Sequence, residues 1–299
     1  GGSFAQAMNQ EADMVIYVYG FTQAGLAPEA AGGAMTEDGV YASLLIGGMD
    51  ESHPSLFRRR GRVAAILSRV SRSEFCGPTG EKNLQDLAWL APRACRHQAV
   101  LEQVMPLGPV LPARFGTLFS STASLESFMG KHEAAMARFL ERADGREEWA
   151  LKGFLDRGQA EAEWLARRRS EEPCPSDGPP GAAYLREQRL RIEAGQALDA
   201  RLAEACDDLF NQLNPLASEI VARRISARQT PERARELVLN WALLLPAAAA
   251  ADFRGRIDRV SADKPMGGLA FEVSGPWPPY SFCPVLEAEA PPPGTMAGE

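Results

Sequence analysis

The chain has 299 residues, 45% of them hydrophobic and 24% charged, with a formal net charge of −7. That composition is of a folded globular protein, and the length exceeds the usual size of one core, so two domains are expected. The acidic balance argues against nucleic acid as a partner, because a phosphate backbone calls for a basic face or stripe.

The arginine runs at 58–60 and 167–169 sit beside acidic residues and read as solvated faces or turns. Five cysteines, Cys76, Cys95, Cys174, Cys206 and Cys283, are widely spaced and form no C-x-x-C pair, which reads as reduced thiols of a cytoplasmic protein. The longest apolar stretch, residues 237–251, is interrupted by Asn240 and Pro246 and falls short of a membrane span, so a lipid membrane is not an expected partner. Residues 1–13 read as a tag or disordered leader.

In chain order, residues 14–19 (MVIYVY) form a β-branched and aromatic run that stops at Gly20, as a buried strand does. A loop rich in Gly, Pro and Ala spans 25–39, and strands are expected at 40–46 and 63–70. Apolar residues from Leu84 to Met105 recur with helical spacing, and Pro92 is expected to start a second helix after a break. Residues 110–119 read as a strand, and 125–140 as an amphipathic helix capped by Thr122 or Ser124. These elements make an N-terminal α+β domain over 14–144.

A second domain is expected over 145–286. Its elements are a strand at 149–155, a proline-rich connection at 171–181, and a helical region at 182–228 with coiled-coil-like spacing of Leu198, Leu202, Leu209 and Ile220. Pro215 makes that region either a kinked helix or a helical hairpin. A strand at 237–245, a helix at 248–260 and a strand at 269–273 complete a split β-α-β order, which suggests a ferredoxin-like domain with a long helical extension. The tail, 287–299, is rich in Pro, Ala and Glu and is expected to be disordered.

No catalytic, metal or cofactor pattern emerges. Only His53, His97 and His132 are present. The pair His132-Glu133 begins like a zinc motif, but Met136 stands where the second ligand belongs, so His132 reads as a core residue. Cys95 and His97 point apart on a helix, and no phosphate loop, dinucleotide fingerprint or nucleophile elbow is present.

Four stretches nevertheless form an ordered pattern. They are Tyr17-Val18-Tyr19-Gly20; Trp89-Leu90 and Arg93-Ala94 leading to His97-Gln98-Ala99-Val100-Leu101-Glu102 and on to Pro112-Ala113-Arg114-Phe115-Gly116-Thr117; Glu148-Trp149-Ala150-Leu151-Lys152; and Gly275-Pro276-Trp277-Pro278-Pro279-Tyr280-Ser281-Phe282. Together they resemble the gas vesicle GvpL/GvpF family, over nearly the whole chain from Met14 to Phe282; Cys283 and the long proline-rich segment before Ala182 depart from its pattern.

The resemblance implies a non-enzymatic accessory or minor structural protein of gas vesicles. Its implied partners are the small hydrophobic main shell protein and other gas vesicle accessory proteins. It also implies an α+β N-domain and a ferredoxin-like C-domain with a helical extension. Candidate partner-binding residues are Arg114, Phe115 and Thr117 at a strand-loop junction, Leu198, Leu202 and Leu209 on a helical seam, and Trp277 and Tyr280 in a proline-stiffened segment expected to dock on the N-domain. The competing expectation is a ligand sensor or enzyme built on the ferredoxin-like sheet.

Overall fold

The computed structural model describes residues 13–26, 40–42, 47–49, 53–171, 180–225, 235–263 and 266–287. The expected leader up to residue 12, most of the Gly/Pro-rich loop, the proline-rich stretch at 172–179 and the expected tail from 288 on lie outside the described residues. The chain divides into two compact units, one comprising residues up to Arg146 together with those from Pro278 on, the other Glu147–Trp277.

The first unit is built on a sheet whose strands are β1 (Met14–Gln23), β2 (Val40–Ala42), β3 (Leu56–Arg60), β4 (Val63–Ser71), β5 (Val110–Pro112) and β6 (Leu118–Phe119). The order is β2-β3-β4-β1-β5, with β6 also on β1. The central strand is buried from Val15 to Thr22 without alternation, because both faces are covered. On one face Val15, Tyr17 and Tyr19 pack with Val100, Leu101 and Val104 of a helix. The register with β4 slips between Val18 and Gly20, a bulge that inserts Tyr19 and moves Phe21 to the opposite face, against Phe128. Gly20 is required there: a Cβ would fall 2.7 Å from the Leu111 carbonyl oxygen.

Helices α1 (Arg72–Phe75), α2 (Gly77–Gln85), α3 (Leu87–Val104) and α4 (Thr122–Ala143) complete this unit. Four details differ from the sequence reading, the first being that the run 110–119 is not one strand but β5 and β6 with a turn between them. The arginine run at 58–60 ends strand β3, and its hairpin with β4 turns through Gly61, at φ +55°, and Arg62; Arg58 is paired with Glu126 of α4 rather than solvated. Pro92 lies inside a continuous α3, which begins earlier, at the Asp86 cap that accepts from the Ala88 N–H. Helix α4 is capped by Ser121, in a reciprocal capping box with Ser124.

The second unit contains β7 (Arg146–Leu155), α5 (Arg157–Glu171), α6 (Pro180–Leu213), β8 (Glu219–Ala222), β9 (Glu236–Pro246), α7 (Ala250–Asp263) and β10 (Leu269–Trp277), with sheet order β10-β7-β9-β8. Helices α6 and α7 cover the sheet through Leu209, Leu213, Phe253 and Ile257, packed on Trp149, Leu151, Leu239, Leu243 and Leu245. Glu148 is fully buried and stands opposite Arg223, which neutralises it.

Helices α5 and α6 form an antiparallel hairpin, joined by Arg157 to Asp199 at 2.9 Å near its base and Arg169 to Glu187 at 3.0 Å further along. Neither sequence alternative for Pro215 holds. Helix α6 ends at Leu213, Pro215 lies in the turn, and Ile220 belongs to strand β8 rather than to a helical seam.

Candidate functional site

Two of the four stretches, residues 17–20 and the run from Trp89 to Thr117, meet in the first unit at the segment between β5 and β6. Strand β5 leaves β1 after Pro112, with the Ala113 N–H donating to the Tyr19 carbonyl at 2.9 Å. The chain returns when the Val18 N–H donates to the Thr117 carbonyl at 3.0 Å. Between them, the Thr117 N–H and Oγ1–H both donate to the Arg114 carbonyl, at 3.1 and 2.7 Å, closing a four-residue turn. Gly116 occupies its third position at φ +83°, as a type II turn requires.

This turn is pinned from beneath. The Gly116 N–H donates to Tyr17 Oη at 3.3 Å, and the Tyr17 hydroxyl lies 2.7 Å from His97 Nδ1. The phenol oxygen accepts from Gly116, and one proton is shared between the hydroxyl and Nδ1, the direction following the imidazole tautomer. Burial lowers the His97 pKa to about 4 and pushes the Tyr17 phenol above its ordinary value, so both are neutral near pH 7. The Ala113 carbonyl opposes the His97 shift from nearby, although Nε2 has no partner within hydrogen-bonding geometry. Phe115 closes the cluster, with its ring 5.9 Å from those of Tyr17 and His97. The core histidine is therefore His97. His132, expected in the core, is only half-buried, stacked on Phe128 with Nε2 3.0 Å from the Glu287 carbonyl oxygen.

Above the turn lies a cleft of about 820 Å³. Its floor and walls come from Phe21, Leu111, Leu118, Phe119 and Phe128, and one side is formed by Tyr280, Cys283, Pro284, Val285 and Leu286. That segment is held by the Arg142 guanidinium, which donates to the Phe282 carbonyl at 2.8 Å, and by Cys283 Sγ, 3.8 Å from the Pro112 carbonyl. Arg114 is the one charged residue among the described lining residues. Its guanidinium is exposed and has no ion-pair or hydrogen-bond partner among the described residues. Val285, at 95% exposure, presents its side chain to solvent at the rim.

The structure brings together Arg114, Thr117 and Tyr280, and places Phe115 under them in the core. It places the other candidates in the second unit. Leu198 and Leu209 are buried within that unit and Leu202 is partly buried there, so they serve its own core rather than offering a seam. Trp277 ends β10, its indole N–H donating to Ser274 Oγ at 3.2 Å, while Tyr280 begins a single 3-10 turn instead of an extended segment. The sequence reading missed Phe119, Phe128 and Val285. The first two were signalled only as strand and helix apolar positions, and Val285 by nothing. Among the described residues, no group of three or more His, Cys, Asp or Glu is placed to hold a metal ion, and no helix is long and apolar enough to cross a membrane.

The chain is thus a two-unit mixed α/β protein with an apolar surface cleft on a pinned turn. Residues 15–284 match the family described as gas vesicle synthesis protein GvpL/GvpF, and the chain belongs to that family. It is 29% identical over 281 residues to gas vesicle protein L of a Streptomyces species, covering 93% of this chain and 96% of that one. It is 23% identical over 120 residues to gas vesicle protein L2 of Halobacterium salinarum, covering 37% and 40% respectively. The crystal structure of gas vesicle protein GvpF from an Anabaena species shares the fold, with TM-score 0.62 and 18% identity over 93% of this chain and 99% of that one. GvpF from Microcystis aeruginosa does so with TM-score 0.58 and 17% identity, over 91% and 99%.

Proposed function

We propose that this chain is a cytoplasmic, non-enzymatic gas vesicle accessory protein that binds the main hydrophobic shell protein and supports vesicle nucleation and assembly. The observation that carries the reading is the first unit's cleft: apolar over its floor, rimmed by exposed Val285 and furnished with one cation, Arg114, that is unpaired among the described residues. A shell subunit exposes apolar surface before it is packed, and a helper that covers it reversibly needs such a groove with a polar group to set orientation. The pinned turn keeps the groove preorganised, which reduces the ordering cost of binding. In the second unit, the fourth-first-third-second strand order is the order of a ferredoxin-like sheet, which we read as scaffold for the helical hairpin.

The test is capture of the main shell protein by the full chain and by Arg114→Ala/Val285→Asp, with circular dichroism as the check on folding. Capture by the wild type and its loss, by at least about tenfold, in the folded variant supports the reading. Equal capture by both removes the cleft from it, and no capture by the wild type removes shell binding.

A further inference from the structure

We propose that the second unit holds a separate binding site for a small organic oxyanion carrying two or more phosphate or carboxylate groups, in the cleft between the hairpin and the start of β10. The proposal goes beyond shell binding and shares no residue with the first unit's cleft, so its failure leaves that reading intact.

The cleft has a volume of about 340 Å³, enough for a ligand larger than one phosphate group. Three guanidinium groups line it, from Arg167 of α5, Arg201 of α6 and Arg235 just before β9. Arg167 and Arg235 have no ion-pair or hydrogen-bond partner among the described residues. The contrast within one run of sequence is informative. Arg168 is paired with Glu171 at 3.8 Å and Arg169 with Glu187 at 3.0 Å, whereas Arg167, which lines the cleft, has no such partner among the described residues.

Helical spacing offers Arg167 two acids: Glu171, one turn later, which is paired with Arg168, and Glu163, one turn earlier, in the favourable acid-before-base order. Glu163 is committed elsewhere. It accepts from the Gln159 amide at 2.9 Å and is packed so closely on Gly267 that any side chain at that position would collide with its carboxylate. The lining charges are therefore three positive against the one negative of Glu163, in a protein of net charge −7. The guanidinium groups of Arg167 and Arg235 each offer a planar fork matched to two oxygens of a phosphate or carboxylate, and Arg201 adds a third positive charge to the lining. The half-buried indole of Trp164 adds an aromatic surface for the organic body of the ligand.

Isothermal titration of the full chain at low salt, with inorganic pyrophosphate in one arm and citrate in the other, tests the site. One saturable site per chain is expected, weakened at least about tenfold in Arg167→Gln/Arg235→Gln. The control Arg254→Gln/Arg259→Gln removes the same charge from α7, outside the cleft, and is expected to bind as the wild type does. The arm that binds more tightly identifies the oxyanion. If the cleft variant does not fold, Glu163→Gln serves instead, and it is expected to bind the same probe several-fold more tightly. Absence of saturable binding to either probe up to about 10 mM, equal loss in the control, or unchanged affinity in Glu163→Gln overturns the proposal.

Discussion

The two clefts solve the problem of presenting a surface in opposite ways. In the first unit the floor is apolar and the turn beside it is fixed from below, through Gly116, Tyr17 and His97, by groups that never reach the cleft. In the second, the lining is cationic, and what keeps it available is the diversion of Glu163 away from Arg167. Substitution under the first cleft therefore disturbs the fold, while substitution of Arg167 or Arg235 in the second removes a group with no partner among the described residues.

The largest expected effect tests the buried foundation. His97 has a pKa of about 4 in the fold, below its ordinary 6.5, so between these values the unfolded chain binds more protons and stability falls with acidity. Its contribution is fully present above about pH 6.5 and is lost towards pH 4, amounting to about 3 kcal/mol. Urea unfolding followed across that range should show this slope, flattened in His97→Gln; an identical slope in the variant would detach the turn from the histidine.

A smaller effect isolates backbone conformation from packing. A Cβ at Gly116 meets nothing within 4 Å, so Gly116→Ala has room and suffers only the left-handed φ, costing about 1–2 kcal/mol. A variant as stable as the wild type would mean that the turn is not held in the left-handed region. The smallest effect belongs to the second cleft. Arg167→Gln should change the urea midpoint by less than the equivalent of about 0.5 kcal/mol, because Arg167 has no partner among the described residues to lose. A larger loss would show that the guanidinium is engaged in solution.

Much of the first unit was legible because its signals are local. A continuous apolar run marks β1, a clean helical period marks α4, and Pro112 and Gly116 bracket the turn. The bulge at Tyr19 was not legible, since it exists only in the register with β4. Strand β3 was hidden because Arg58 finds its acid, Glu126, 68 residues away on α4. Helix α5 was missed because only Ala160 and Leu165 are buried, too few to impose a period, and the run at 167–169 cannot say which arginine will be left unpaired. Pro92 misled because the Asp86 cap had already started the helix. The cleft itself was half visible: the sequence singled out Arg114, Thr117 and Tyr280, but not the wall that residues 283–286 supply.

Site-specific photocrosslinking compares the two regions most directly. A photoreactive phenylalanine analogue would replace Val285 at the rim of the first cleft or, in a second variant, the exposed Ile192 of α6 in the second unit, each irradiated with the main shell protein present. A shell-protein adduct formed from position 285 and absent from position 192 is the predicted result; an adduct from 192 with none from 285 would contradict the assignment of shell binding to the first unit.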